Sequence, residues 1–74
     1  MKLNKVDIQL LSFITNLLDD PYRYQYIEDE ELAQVFKETE GQENINIAQM
    51  RLSRMKLVRA GKIEYEKSNY RLPN

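Results

Sequence analysis

The sequence predicts a mainly α fold with a small β-sheet, an α+β class built from three helices, a short strand between the first two, and a C-terminal β-hairpin. Three observations predict it. Apolar residues recur at helical spacing in three separate stretches, each preceded by a residue suited to capping a helix. Beyond Gly61 the pattern changes to alternation, broken only by a short polar turn, and Pro73 stops it. Finally, 74 residues sit near the lower limit for a domain held by its own hydrophobic core, so residues 1–74 are read as a single domain.

The first helix is predicted over residues 5–18, where Val6, Leu10, Phe13, Ile14 and Leu17 form one broad apolar stripe. Asn4 is placed to cap it, and Asp7 three positions later suits the reciprocal half of a capping box. Asp19-Asp20-Pro21 ends it, because proline disfavours helix in the residue before it and has no N–H to extend the ladder. From Tyr22 to Ile27 tyrosines alternate with polar residues, which predicts a strand, strongest over 24–27. Tyr22, Tyr24 and Tyr26 on one face would suit base stacking, but half-buried packing with the hydroxyls in water is the simpler expectation.

Asp29 is expected to cap a second helix over 29–39, with Leu32, Ala33, Val35 and Phe36 inward and Glu30-Glu31 complementing the helix dipole. Polar residues 40–44, with Gly41 among them, supply the turn. The third helix is predicted over 46–59, capped by Asn46 with Gln49 at the capping-box position and closed by Ala60-Gly61. Strands follow over 62–66 and 70–72, with Ile63 and Tyr65 on one side and Lys67-Ser68-Asn69 as the turn.

Composition removes whole classes of chemistry. With no cysteine and no histidine there are no disulfides, no thiol or imidazole ligands, no imidazole base and no thiol nucleophile, and only carboxylates remain for a metal site, so zinc is not expected. Two glycines, Gly41 and Gly61, are too few for a phosphate-cradling loop, and no pair of carboxylates stands out, so neither a cofactor nor enzymatic activity is expected. The longest mostly apolar stretch, residues 3–18, is interrupted by seven polar side chains beginning with Asn4 and Lys5 and is too polar to span a bilayer. No membrane association is expected, and an N-terminus without the order of a secretory signal predicts a cytoplasmic protein.

Net charge is −1, which gives nucleic-acid binding no help, but its distribution does. Residues 1–44 carry four Lys/Arg against ten Asp/Glu, a balance of −6, and residues 45–74 carry seven against two, a balance of +5. Such segregation predicts a dipolar molecule with one basic end, although uneven charge on solvated faces would look the same.

The order of elements, together with Glu31-Leu32-Ala33-Gln34-Val35-Phe36 and Leu57-Val58-Arg59-Ala60-Gly61-Lys62-Ile63, resembles the winged helix-turn-helix superfamily over nearly the whole chain. The resemblance implies that the third helix enters a DNA major groove while the 62–72 hairpin, as wing, lies along the backbone or minor groove. Projected around the helix, Asn46, Gln49, Ser53 and Lys56 form one polar stripe whose chemistry suits base edges. Arg51, Arg54 and Arg59 leave at other angles and suit phosphates, and Lys62, Lys67, Ser68, Asn69 and Arg71 would extend the backbone footprint.

There is one departure from the family pattern. Seven residues before the closing glycine, where winged helices carry an apolar core residue, stands Arg54. The apolar residues of the third helix fall into two groups, Ala48-Leu52-Met55 and Met50-Leu57-Val58 with Ile47. Either one group is left exposed or packed in a homodimer, or the helix sits deep between the first helix and the wing; the pattern leaves both open.

The leading expectation is a sequence-specific double-stranded DNA-binding protein, a small transcriptional regulator or a phage- or plasmid-type accessory factor. The alternative is a winged-helix module that binds a protein partner through its acidic N-terminal half or its tyrosine strand. RNA or single-stranded DNA binding through Tyr22, Tyr24, Tyr26, Tyr65 and Tyr70 is a weaker third.

Overall fold

The structure is a computed structural model, and it describes residues 2–19, 24–41 and 45–73. Helix α1 (Lys5–Leu17) begins with the expected reciprocal cap. The Asn4 side chain accepts from the Asp7 N–H and the Asp7 carboxylate accepts from the Asn4 N–H, both at 2.9 Å. Leu18 is its C-cap; Asp20 and Pro21, read as its stop signal, lie outside the described residues, as do Tyr22 and Arg23. Strand β1 (Tyr24–Tyr26) leads into helix α2 (Asp29–Glu40).

The capping role expected of Asp29 is not what it does. Asp29 is the first residue of α2, the N-cap position is Glu28 with no side-chain cap, and the Asp29 carboxylate points away to α3. Gly41, at φ +66°, closes α2, its N–H bonded to the Lys37 carbonyl. Gln42, Glu43 and Asn44 of the expected turn are outside the described residues.

Helix α3 (Ile47–Arg59) carries the Asn46/Gln49 capping box. It ends as a left-handed glycine allows: with Gly61 at φ +73°, the Gly61 N–H reaches the Val58 carbonyl at 3.0 Å and the Lys62 N–H reaches Leu57 at 2.9 Å. That stop turns the chain into β2 (Glu64–Glu66) and β3 (Asn69–Arg71). The hairpin turn is the pair Lys67-Ser68, both at positive φ (47° and 68°), while Asn69, expected in the turn, opens β3. Positive φ at both central residues gives the twist that a two-residue hairpin needs, and here no glycine supplies it.

The sheet is antiparallel in the order β1-β3-β2. Gln25, Tyr70 and Tyr65 form one cross-strand row; Tyr24, Arg71 and Glu64 form the next, and Tyr26, Asn69 and Glu66 the third. Tyr70 is buried, so its row faces the helices and the other two rows face outward. Tyr24 and Tyr26 are thereby on the opposite face of the sheet from Tyr65 and Tyr70; Tyr22 lies outside the described residues. Tyr24 and Tyr26 are about half exposed, their hydroxyls on Asn69 and Glu28.

One core joins the three helices to β3 and to the residues beside β1 and β2: Leu10, Phe13, Ile14 and Leu18 from the first helix and its end, Ile27, Leu32, Phe36, Met50, Leu57, Ile63 and Tyr70. The rings of Phe13 and Phe36 meet at 5.5 Å. No helix among the described residues is long and apolar enough to cross a membrane.

Candidate interaction surface

Helix α3 is in contact with both other helices, and its sequence shows how it is held. At about 100° per residue, Met50 and Leu57 point to one side and are fully buried. Ser53 and Arg54 flank them on opposite sides, and both are buried as well.

On the Ser53 side stands Asp7 of α1, with no exposed surface. Its carboxylate accepts from Ser53 Oγ at 2.5 Å, from Lys56 Nζ at 3.2 Å and from the Asn4 N–H. Burial pushes its pKa up, but these three donors outweigh burial and hold it below the ordinary aspartate value. The residue that completes the cap of α1 therefore also fixes the position of α3.

Asp29 holds the other side. Its carboxylate takes Arg54 Nη1 at 2.5 Å and Arg51 Nε at 2.6 Å. The hydrogen bond from Arg54 is the main reason its pKa is lowered, burial opposing and Arg51 assisting. Arg54 Nη1 also donates to the Tyr70 hydroxyl at 2.7 Å, and its guanidinium lies 3.9 Å from the centre of the Tyr65 ring. Burial works against the charge on Arg54, yet Asp29 and Tyr70 keep its pKa above the usual arginine value. Burial likewise pushes the Tyr70 hydroxyl up to about 12. Every buried side-chain nitrogen and oxygen among the described residues has a partner.

These contacts engage several of the residues read as a DNA footprint. Asn46 and Gln49 stay at the surface, engaged with each other's backbone at the start of α3. Ser53 and Lys56, the rest of the stripe assigned to base edges, turn to Asp7; Ser53 is buried and Lys56 is one-third exposed. Arg54 is interior. Arg51 is exposed but paired with Asp29, and Arg71 pairs with Glu64 at 3.4 Å. At the hairpin, the Ser68 carbonyl accepts from the Ile27 N–H and Asn69 bonds the Tyr24 hydroxyl. Arg59, Lys62 and Lys67 are exposed, and none of the three is in an ion pair among the described residues. The basic and acidic halves of the sequence meet in part: Asp29 and Asp7 of the acidic half pair with Arg51, Arg54 and Lys56 of the basic half.

The side of α3 left outward is apolar. Ala48, Leu52, Met55 and Arg59 follow one another along it at spacings of four, three and four, with Arg51 and Val58 beside them. Leu52 is 55 % exposed, Met55 43 % and Val58 39 %. Of the two apolar groups in this helix, Met50 and Leu57 are the core, and Val58 joins the outward group. Ile8 of α1 is also exposed, a single residue of the kind common on protein surfaces.

Compared with protein-family models, curated proteins and solved structures, the chain matches none.

Proposed function

We propose that the chain is a winged helix-turn-helix module that works by binding a protein partner through the outward side of α3. The order of elements and the β1-β3-β2 sheet support the winged-helix part of the reading. One observation carries the functional part: Leu52, Met55 and Val58 stand exposed together on one helix, while Ser53 and Arg54 of the same helix are buried. A contiguous apolar surface rimmed by polar groups is what protein interfaces place at their centre. Duplex DNA offers such side chains little beyond thymine methyl groups.

Retention on immobilised chain from nuclease-treated extract tests this. A partner kept by the wild type and lost with Met55→Glu, but kept with Lys67→Ala, supports the reading. Equal retention by Met55→Glu and wild type contradicts it.

A second reading is favoured by one specific observation, the exposed cations Arg59, Lys62 and Lys67, in no ion pair among the described residues. These would meet phosphates if α3 and the hairpin lie on a duplex, as in sequence-specific DNA binding by a small regulator. Anisotropy with a labelled duplex checks it: affinity should fall with salt, each phosphate contact adding a log–log slope of about −0.9. Lys62→Ala and Lys67→Ala should flatten that slope. No binding to duplex at low salt rules the DNA reading out.

A further inference from the structure

We infer that the sheet is a separately opening part of the fold, latched to the helices by Arg54. The hairpin, with β1 paired along it, comes away from the helices at a lower free energy than the whole chain unfolds, and α1, α2 and α3 keep their packing when it does. The helices contact one another directly, as do the strands. The core divides in the same way: Ile27, Ile63 and Tyr70 are its members within or beside the sheet, and the others lie on the helices or at the end of α1. Both carboxylate links are internal to the helices, Asp7 joining α1 to α3 and Asp29 joining α2 to α3. An opening between helices and sheet breaks neither.

Strands of three residues give the sheet little stability of its own. Its turn adds little, because Lys67 and Ser68 take the positive φ values that Asn-Gly would adopt at lower cost. The sheet is therefore held from outside. Its apolar anchors are non-directional, and Arg54 supplies the direction. From α3 the guanidinium donates to the Tyr70 hydroxyl of β3 at 2.7 Å and lies 3.9 Å from the Tyr65 ring centre of β2. These tyrosines are cross-strand partners with their rings edge-on at 4.9 Å, so one side chain grips both strands at one register position. A planar guanidinium satisfies a hydroxyl and a ring face together in few relative placements. Release strands no charge, since Asp29 stays with Arg54. A unit with few apolar anchors and one polar grip belongs to the low end of the range of local stabilities. Tyr65 also lines, with Met55 and Val58, a shallow depression on the outward side of α3, so the latch fixes one wall of that surface.

Native-state hydrogen exchange of the full chain tests this. The Ile27 amide, bonded to the Ser68 carbonyl at 2.9 Å, and the amides of β3 report the sheet. Interior amides of α1 and α3 report the helices. Corrected for intrinsic rates, the sheet amides of the wild type should exchange at least about tenfold faster than the helix amides. Tyr70→Phe should speed the sheet amides by about tenfold or more, as for losing a hydrogen bond to a charged group. Ser53→Ala weakens the link between α1 and α3 but leaves Lys56 and the Asn4 N–H on Asp7. That link is intact while the sheet is open, so the helix amides should speed up and the sheet amides should keep their wild-type rates. Sheet and helix amides that speed up together in Ser53→Ala show that the chain opens only as one unit and overturn the inference. Sheet amides unmoved by Tyr70→Phe show that Arg54 is not the latch and overturn it as well.

Discussion

The two sides of α3 invert the usual arrangement of a surface helix. Its inward half combines two apolar residues, Met50 and Leu57, with a buried serine and a buried arginine, while its outward half exposes Leu52, Met55 and Val58. The inward polar groups are fully partnered: Asp7 receives Ser53 and Lys56, and Asp29 receives Arg51 and Arg54. The outward apolar groups are only partly covered by the described residues. The inward half thus holds the helix in place, and the outward half is the surface on which the proposed partner would sit. Removing one inward partner strands another in a dry environment, whereas an outward side chain changed to a charge gives up only partial burial.

The contrast is sharpest at Asp29. Asp29→Ala leaves Arg54, with 11 % of its side chain exposed, without a carboxylate. A loss of about 3–5 kcal/mol in urea unfolding is expected, as for breaking a buried ion pair. Restoring the balance with Asp29→Ala/Arg54→Leu should recover much of that loss; a loss under about 1 kcal/mol for the single change would mean Arg54 reaches water and the interior seam is looser than described. Asp7→Ala should cost less, about 1–3 kcal/mol, because the group stranded is the neutral Ser53 hydroxyl while Lys56, one-third exposed, turns to solvent. Circular dichroism melts of both variants would rank them.

Acid tests both carboxylates together. Asp7 and Asp29 have lowered pKa values in the folded chain, so the unfolded chain takes up protons first. Their contribution is complete above the unfolded aspartate value of about 3.9 and is lost as pH falls below it through the folded values. Wild-type stability should therefore drop between about pH 4 and pH 2, and Asp29→Asn should flatten that drop while lowering stability at neutral pH.

Much of this arrangement is legible in the sequence and some is not, for physical reasons. The Asn4/Asp7 and Asn46/Gln49 boxes, Gly41, Gly61 and the alternating hairpin depend on neighbours within a few residues, so spacing alone predicts the helices and strands to within two residues or so. The pairing of β1 with β3 joins residues such as Tyr24 and Arg71, and no local pattern records it. The polar row Asn46, Gln49, Ser53 and Lys56 is a true stripe, but a helical projection does not say which way it faces; Asp7, 46 residues from Ser53, decides that. Arg54 at an expected core position is the one sign in the sequence that a charge is buried, and its counterpart is Asp29, read there as a cap. The charge segregation is equally real and equally ambiguous: opposite blocks either make a dipole or pair with one another, and here three of the basic side chains pair with two carboxylates of the acidic half. The two apolar groups of α3 carry the signal for the outward face, since a helix against one core cannot bury both.

The smallest expected effect is the most informative. Urea unfolding of Leu52→Glu/Met55→Glu, over a wide range of chain concentration, measures directly whether the outward side of α3 serves the fold or a partner. Glutamate matches leucine and methionine closely in helix propensity, so stability should stay within about 0.5 kcal/mol of the wild type, independent of concentration. A loss of several kcal/mol, or a wild-type midpoint that rises with concentration while the variant's does not, would show that this face is already covered when the chain is alone, and would contradict the account.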